Sequence, residues 1–240
     1  MFQYDPQLLV LVQTPPKSIP DLVNVLEQID ALCVDGDGLK WFNHLYLNIT
    51  RVIQARVEAG GFLDPAWLRQ LDIQFGTLYY SALKSGLTAQ RCPSCWQATF
   101  VVRNNVRIAR IQFALAGANS HINHDLPEAI IATANVTGVS PAKGTPQEQD
   151  YLSLNPTLEG QIDQAKADLH VRLLGDPLPA VSHVESLIAA WGLKSARAQA
   201  WDHAEALWAT RNVPLVAQQI EDGLDGLTTF GNKALLVPAP

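Results

Sequence analysis

Apolar residues recur at every third or fourth position along most of this chain, which is the spacing of amphipathic helices. Residues typical of helix ends support the pattern: Asp64-Pro65 suits a first turn and Gly60-Gly61 a helix end. The pattern predicts helices over residues 18–33, 39–59, 64–86, 128–136, 155–174, 181–210 and 214–227, and one long helix or two stacked ones over 96–123. The sequence therefore predicts an all-α fold, a multi-helix bundle forming a single domain over residues 1–240.

Two stretches depart from the helical spacing. The short apolar run Leu8–Val12 is closed by Pro15 and Pro16, so we expect an edge strand or a short extended arm at the N-terminus. Residues 138–147 are rich in turn-forming residues, and a lid or a domain boundary fits best there. Any subdivision of the domain is therefore expected near residues 138–150.

The run Ile108–Ala118 is apolar on nearly every side, as expected for a helix buried in the middle of a domain. Gly117 and Ala118 are small enough to let another helix approach closely. The run nevertheless ends in a cluster of polar side chains, namely Asn119, Ser120, His121, Asn123, His124 and Asp125. We therefore expect the bundle to be built around this helix and its functional site to lie at the polar end.

His121 and Asp125 are four residues apart, so on an α-helix they present an imidazole and a carboxylate side by side on one face. Buried polar groups need partners. His121 and Asp125 can hydrogen-bond to each other, join a larger hydrogen-bond network or bind a metal. Pro127 clashes with a straight helix, which predicts a kink or a fresh helix start with Asp125 as its N-cap. Two structural roles, an N-cap and a buried hydrogen-bond network, therefore stay open for these residues alongside a functional site.

Polar residues also interrupt the apolar stripes of two other predicted helices. Asp72 borders the buried face of the 64–86 helix, and His44 lies between Trp41 and Leu45 on the preceding one. A short loop joins these two helices, so they are expected to form an antiparallel hairpin. His44, Asp72, His121 and Asp125 are thus four polar groups from three helices that could meet inside one bundle.

Composition narrows the classes of partner. The chain has 240 residues, 48% of them hydrophobic, and a net charge of −6 with 17 scattered Lys and Arg, so nucleic acid is not expected as a partner. No apolar run is long enough to span a bilayer and no basic signal region precedes one, so we expect no membrane association and a cytoplasmic location.

We expect Arg103, Arg107 and Arg110 to form ion pairs with acidic residues at the surface. Apolar helices and six tryptophans make a homodimer plausible.

The cysteines are Cys33, Cys92 and Cys95, an odd number that argues against a disulfide framework. Cys92 and Cys95 form a CxxC motif. A helix starting at Pro93 would place Cys95 in its first turn, where the dipole lowers a thiol pKa. A redox role is still a poor fit because no strand pattern precedes the motif, and two thiols are too few for a zinc site.

Several of these motifs together resemble an uncharacterised family of mainly bacterial helical proteins known only as a domain of unknown function. The resemblance rests on Trp41-Phe42 to Arg51, Leu71-Asp72 to Tyr79, the His-Ile-x-x-Asp-Leu-Pro element at 121–127, and the late Arg197, Trp201 and Trp208. It covers most of the chain. It implies an all-helical fold and no particular activity.

The fragment His121, Asp125 and Pro127 is also similar to the zinc-dependent phospholipase C and P1 nuclease group of all-helical enzymes, which carry a His-x-x-x-Asp pair on a central helix before a proline. The further histidine expected after the proline is missing, and His170 lies far downstream. The similarity therefore implies one or two bound metals instead of a trinuclear site.

The leading hypothesis is a metal-dependent hydrolase of an ester or phosphoester with a small-molecule substrate of unknown identity. His121 and Asp125 would be ligands of a divalent metal such as zinc or iron, with His44 and Asp72 as ligands or their supporting groups. Catalysis is expected from His121, Asp125 and Asp72 through a metal-activated water.

Two alternatives stay open. His121 with Asp125 could form a metal-free acid–base dyad for an isomerase or cyclase of a hydrophobic molecule. The polar cluster could instead serve a non-catalytic helical protein that binds a ligand or a partner. The sequence leaves open whether His124, His170 or Cys92 and Cys95 take part.

Overall fold

The computed structural model describes residues 2–88, 90–173 and 192–238, and confirms the all-α prediction. Within those ranges the secondary structure is helical, without a strand. The helices are α1 (Asp5–Leu11), α2 (Ile19–Leu32), α3 (Gly38–Ala59), α4 (Pro65–Thr88), α5 (Ser94–Val102), α6 (Arg110–Ser120), a π-helical turn (His121–Asp125), α7 (Leu126–Thr137), α8 (Pro146–Ser153), α9 (Asn155–Leu173), α10 (Leu193–Thr210) and α11 (Pro214–Leu235). No described helix combines the length and apolar character needed to cross a membrane. The side chain of His170 and residues 174–191, which include the first part of the helix predicted over 181–210, lie outside the described residues.

The central helix is α6, as its all-round apolar sequence predicts. Every residue from Ile111 to Ser120 is buried. Helices α3, α5 and α11 surround α6, while α7 continues its line and packs on α4 and α10. The polar end of α6 therefore lies deep in the bundle, where several helices meet.

Gly117 allows α3 to approach α6 closely, as the small side chain predicts. A Cβ atom at this position would overlap the ring of Phe42 on α3. Phe42 in turn packs edge-on against the rings of Tyr79, Trp96 and His121. The glycine thus fixes the distance between the two helices that flank the candidate site.

The N-terminal run is helix α1, so the expected edge strand or extended arm was wrong. Pro6 lies in the first turn of the helix, and Asp5 is buried. Leu8 and Val12, four residues apart, are both buried against the core. The run is too short for its helical spacing to be distinguished from a strand in the sequence, and the packing against α2 and α4 decides its conformation.

The stretch 96–123 contains two helices, α5 and α6, joined by a loop that holds a buried ion pair. The expected surface role of Arg103 was wrong: its guanidinium donates to the carboxylates of Asp37 and Asp5 inside the protein. Asp37 also caps the N-terminus of α3 by accepting from Leu39 N–H. Arg110 does lie near the surface, where it pairs with Asp35.

Replacing Gly117 with alanine is expected to lower the free energy of unfolding by about 1–3 kcal/mol, because the added methyl group must displace the Phe42 ring. Gly160→Ala is the matched control, since this helical glycine is exposed and a Cβ there meets no neighbour. The control should stabilise the protein by about 0.5–1 kcal/mol. Urea unfolding measures both, and a Gly117→Ala protein as stable as the parent would contradict this packing.

Candidate functional site

The polar segment His121–Asp125 forms a π-helical turn between α6 and α7. The N–H of Leu126 donates to the carbonyl of His121, five residues back. The wider turn accommodates Pro127 without ending the helix. Helix α7 begins at Leu126, as the prediction of a fresh helix start at Asp125 expected, but Asp125 keeps helical backbone angles and its side chain caps nothing, so its predicted role as an N-cap was wrong. Single π-helical turns within α-helices occur often at functional sites.

The carboxylate of Asp125 accepts hydrogen bonds from three side chains. Nδ1 of His121 lies 2.8 Å from Oδ2, and Nδ1 of His124 lies 2.8 Å from Oδ1. The indole Nε1 of Trp96 lies 3.0 Å from Oδ2 and 3.2 Å from Oδ1. Asp125 is 2% exposed, so these three donors replace the water that the carboxylate loses on burial. We call these four side chains the Asp125 cluster.

The hydrogen bonds fix the protonation of the Asp125 cluster. Burial raises the pKa of Asp125, but the donors from His121 and His124 outweigh it and hold the pKa below its usual value. An ionised carboxylate only accepts, so Nδ1 of His121 must carry a proton. Burial lowers the pKa of His121 despite the favourable effect of Asp125, and the ring is therefore neutral with an unprotonated Nε2.

His124 behaves differently from His121. Burial lowers its pKa, but the hydrogen bond and charge of Asp125 and the nearby Glu128 raise it to about 9. The second nitrogen, Nε2, lies 3.6 Å from Oε1 of Glu128. Burial raises the pKa of Glu128 to about 7. One histidine of the pair is thus neutral and the other is positively charged at neutral pH.

His121 lines an apolar cavity, and its Nε2 is buried without a hydrogen-bond partner. The cavity, of about 70 Å³, lies between α3, α4, α9, α10 and the π-helical turn. Its wall is largely aliphatic and aromatic, and its polar members are Tyr46, Asp72, His121 and Arg197. The His121 ring stacks on Phe75, with the two ring centres 3.4 Å apart. The cavity is therefore a narrow apolar space with a few polar groups in its wall.

Three of those polar groups have a buried atom without a hydrogen-bond partner: Nε2 of His121, Oδ2 of Asp72 and Oη of Tyr46. Burial raises the pKa of Asp72 to about 7. Burial also raises the pKa of Tyr46 well above its usual value. An unpaired buried polar atom costs roughly 1–3 kcal/mol, and three residues that carry one line this cavity, which makes it the candidate place for a polar part of a ligand.

The structure brings together three of the four predicted residues. Asp72 and His121 line the cavity, and Asp125 lies directly behind His121. His44 does not join them, because its side chain is nearly half exposed and its Nδ1 lies 3.1 Å from Asp30 on the surface. The physical reason is helical phase: His44 is two residues from Phe42 and from Tyr46, so it lies on the opposite face of α3.

Sequence reasoning missed Tyr46 and Trp96 as members of the site. The four-residue spacing of Phe42 and Tyr46 places both on one face, which was a usable signal for Tyr46. Trp96 offers no local signal, because it reaches Asp125 from a separate helix. His124, which the sequence left open, belongs to the Asp125 cluster.

The thiol pKa of Cys95 differs from the expectation drawn from the sequence. Cys95 lies in the first turn of α5 as expected, but its thiol pKa is raised instead of lowered, because burial and the nearby Asp125 and Asp225 disfavour a thiolate. Cys92 has a pKa of about 12, raised mainly by burial. Cys33, Cys92 and Cys95 are all free thiols. The CxxC motif is therefore not an activated redox pair.

Comparison with known proteins agrees with the sequence resemblance. The sequence model of a family described as "Family of unknown function (DUF5995)" matches residues 19–238. No curated protein and no solved structure matches the chain. The match spans α2 to α11 and so includes the whole of the site described above.

Replacing Asp72 with asparagine is expected to change how stability depends on pH. The folded protein holds the Asp72 proton up to a pH of about 7, whereas an unperturbed aspartate loses it near 3.8. The stability of the parent should therefore fall as pH rises from about 4 to about 7, and level off above. Asp72→Asn should remove this loss of stability, which amounts to up to about 4 kcal/mol in the free energy of unfolding above pH 7.

Urea unfolding across this pH range tests the Asp72 prediction. The matched control is Asp222→Asn, which changes an exposed aspartate on α11 and should run parallel to the parent. Parallel curves for Asp72→Asn and the parent would mean that Asp72 is ionised within the fold.

Proposed function

The chain belongs to this family of unknown function, and from the geometry of its buried site we propose that it is an acid–base enzyme acting on a hydrophobic small molecule in the cavity beside His121. The single observation that carries the proposal is the unpartnered Nε2 of His121, which is buried at the wall of an apolar cavity while Asp125 holds the opposite nitrogen. This is the arrangement expected of a general base.

His121 would take a proton from the substrate at Nε2. The imidazole would then carry a positive charge, which the adjacent carboxylate of Asp125 stabilises at a distance of 2.8 Å from Nδ1. The same proton can be returned to another atom of the substrate. Proton removal at one carbon and return at another is an isomerisation.

Asp72 and Tyr46 would supply the acidic partners. A neutral carboxyl group and a phenol both donate an O–H, and each has an unpaired oxygen in this part of the protein. Such donors stabilise the oxyanion that forms when a proton leaves the carbon next to a carbonyl group. The substrate that best fits is therefore a mainly apolar molecule with one carbonyl group.

The metal-dependent hydrolase is the weaker proposal for the same residues. Each oxygen of Asp125 already accepts two hydrogen bonds, which occupy its lone pairs, and His44 lies on the surface. Only His121 and Asp72 of the proposed set would remain as ligands at the cavity, whereas catalytic zinc sites use three protein ligands. A trinuclear centre like that of the phospholipase C and P1 nuclease group fits these residues even less well.

Hydrogen–deuterium exchange at carbon tests the acid–base proposal without knowledge of the natural substrate. The full chain is incubated in D₂O with cyclohexanone or short linear ketones, and proton NMR follows loss of the signal next to the carbonyl. We expect the parent to accelerate the exchange of at least one ketone. His121→Gln should reduce this acceleration by about 10²–10⁴-fold.

His44→Gln is the matched control, because it removes an imidazole on the surface and should leave the exchange rate unchanged. Ligand-observed NMR of the same samples reports binding separately from exchange. Ketones that bind in the cavity of the parent without exchanging would favour the non-catalytic ligand-binding alternative. Equal exchange rates for the parent and His121→Gln would exclude His121 as the base.

A further inference from the structure

A second group of reactive side chains shares His124 with the Asp125 cluster and does not line the cavity. Cys95 of α5, His124 of the π-helical turn and Asp225 of α11 each offer one potential ligand atom, and these atoms lie within 4.8 Å of one another. Cys95 and His124 are buried, while Asp225 is half-buried. A thiol, an imidazole and a carboxylate are the three side-chain types that bind zinc in proteins.

Asp125 orients His124 for coordination. Nδ1 of His124 lies 2.8 Å from the Asp125 carboxylate, so Nε2 is the nitrogen left for another partner. A histidine that ligates a metal usually donates its second N–H to a carboxylate in this way. The Asp125 carboxylate would therefore support two imidazoles, His121 at the cavity and His124 at this second group.

Asp225 is held in place by backbone donors. Its two oxygens accept the N–H groups of Ser94 and Cys95 at 2.9 and 2.8 Å. Each carboxylate oxygen has a further lone pair, so these bonds position the group without using up its capacity to bind a cation. Asp225 thereby also joins α11 to the first turn of α5.

Glu128 adds a further carboxylate beside His124. Its Oε1 lies 3.6 Å from Nε2 of His124, one helical turn along. Asp125, Glu128 and Asp225 together place three carboxylates around the imidazole of His124. This local excess of negative charge favours a divalent cation.

We propose that Cys95, His124 and Asp225 form a binding site for a divalent metal ion of the zinc type, with a water molecule as the fourth ligand. Binding would replace the thiol proton of Cys95 and the Nε2 proton of the charged His124 with the metal, and both protons would be released to solvent. The ligand atoms must draw slightly together, because metal–sulfur and metal–nitrogen bonds are about 2.3 and 2.0–2.1 Å long. The ion would tie α5 and α11 to the π-helical turn, away from the cavity.

Cobalt(II) titration of the full chain, after removal of bound metal, tests this site. Cobalt adopts zinc sites and reports a bound thiolate through a charge-transfer absorption in the near ultraviolet. We expect saturation at one equivalent, with visible bands of tetrahedral cobalt that added zinc removes. Because no enzyme activity is measured, the result is independent of the proposed acid–base function.

Variants assign the ligands. Cys95→Ser should abolish the charge-transfer band, and both Cys95→Ser and Asp225→Asn should weaken cobalt binding at least about tenfold. Cys92→Ser is the matched control, since it changes the other cysteine of the motif and should leave spectrum and affinity unchanged. Far-ultraviolet circular dichroism checks that each variant is folded. Absence of the band in the parent, its persistence in Cys95→Ser or its loss in Cys92→Ser would overturn the proposal.

Discussion

The buried carboxylate of Asp125 is the constraint on which the site depends. A carboxylate at 2% exposure is stable only when hydrogen-bond donors replace its water, and His121, His124 and Trp96 supply three. These donors come from two separate parts of the chain, so the cluster forms only when α5 packs against the π-helical turn. The requirement links the packing of the core to the protonation of two histidines.

The π-helical turn lets one carboxylate hold both histidines. His121 and His124 are three residues apart, yet both Nδ1 atoms reach Asp125, one to each oxygen. Their remaining nitrogens have different surroundings: that of His121 is unpartnered at an apolar cavity, and that of His124 lies near Glu128. The two imidazoles thus have distinct proposed uses: His121 is a base in the proposed reaction, and His124, once it loses its Nε2 proton, is a metal ligand in the proposed second site.

Features that depend on the spacing of residues within one helix were predictable from the sequence. The helical fold, the buried character of α6 and the contact of His121 with Asp125 all follow from periodicity. What depends on distant parts of the chain was not predictable: Trp96 reaches Asp125 across 29 positions, and Arg103 reaches Asp37 across 66. The thiol of Cys95 shows the same limit, because the local helix dipole is outweighed by burial that only tertiary packing creates.

Long-range proton–nitrogen NMR of the ¹⁵N-histidine-labelled chain reads the protonation of His121, on which the proposed base depends. At neutral pH we expect a neutral His121 ring with a protonated Nδ1 and an unprotonated Nε2, and Asp125→Asn should alter this tautomer while His44→Gln leaves it unchanged. A His121 ring that is positively charged, or that carries its single proton on Nε2, would exclude it as the base.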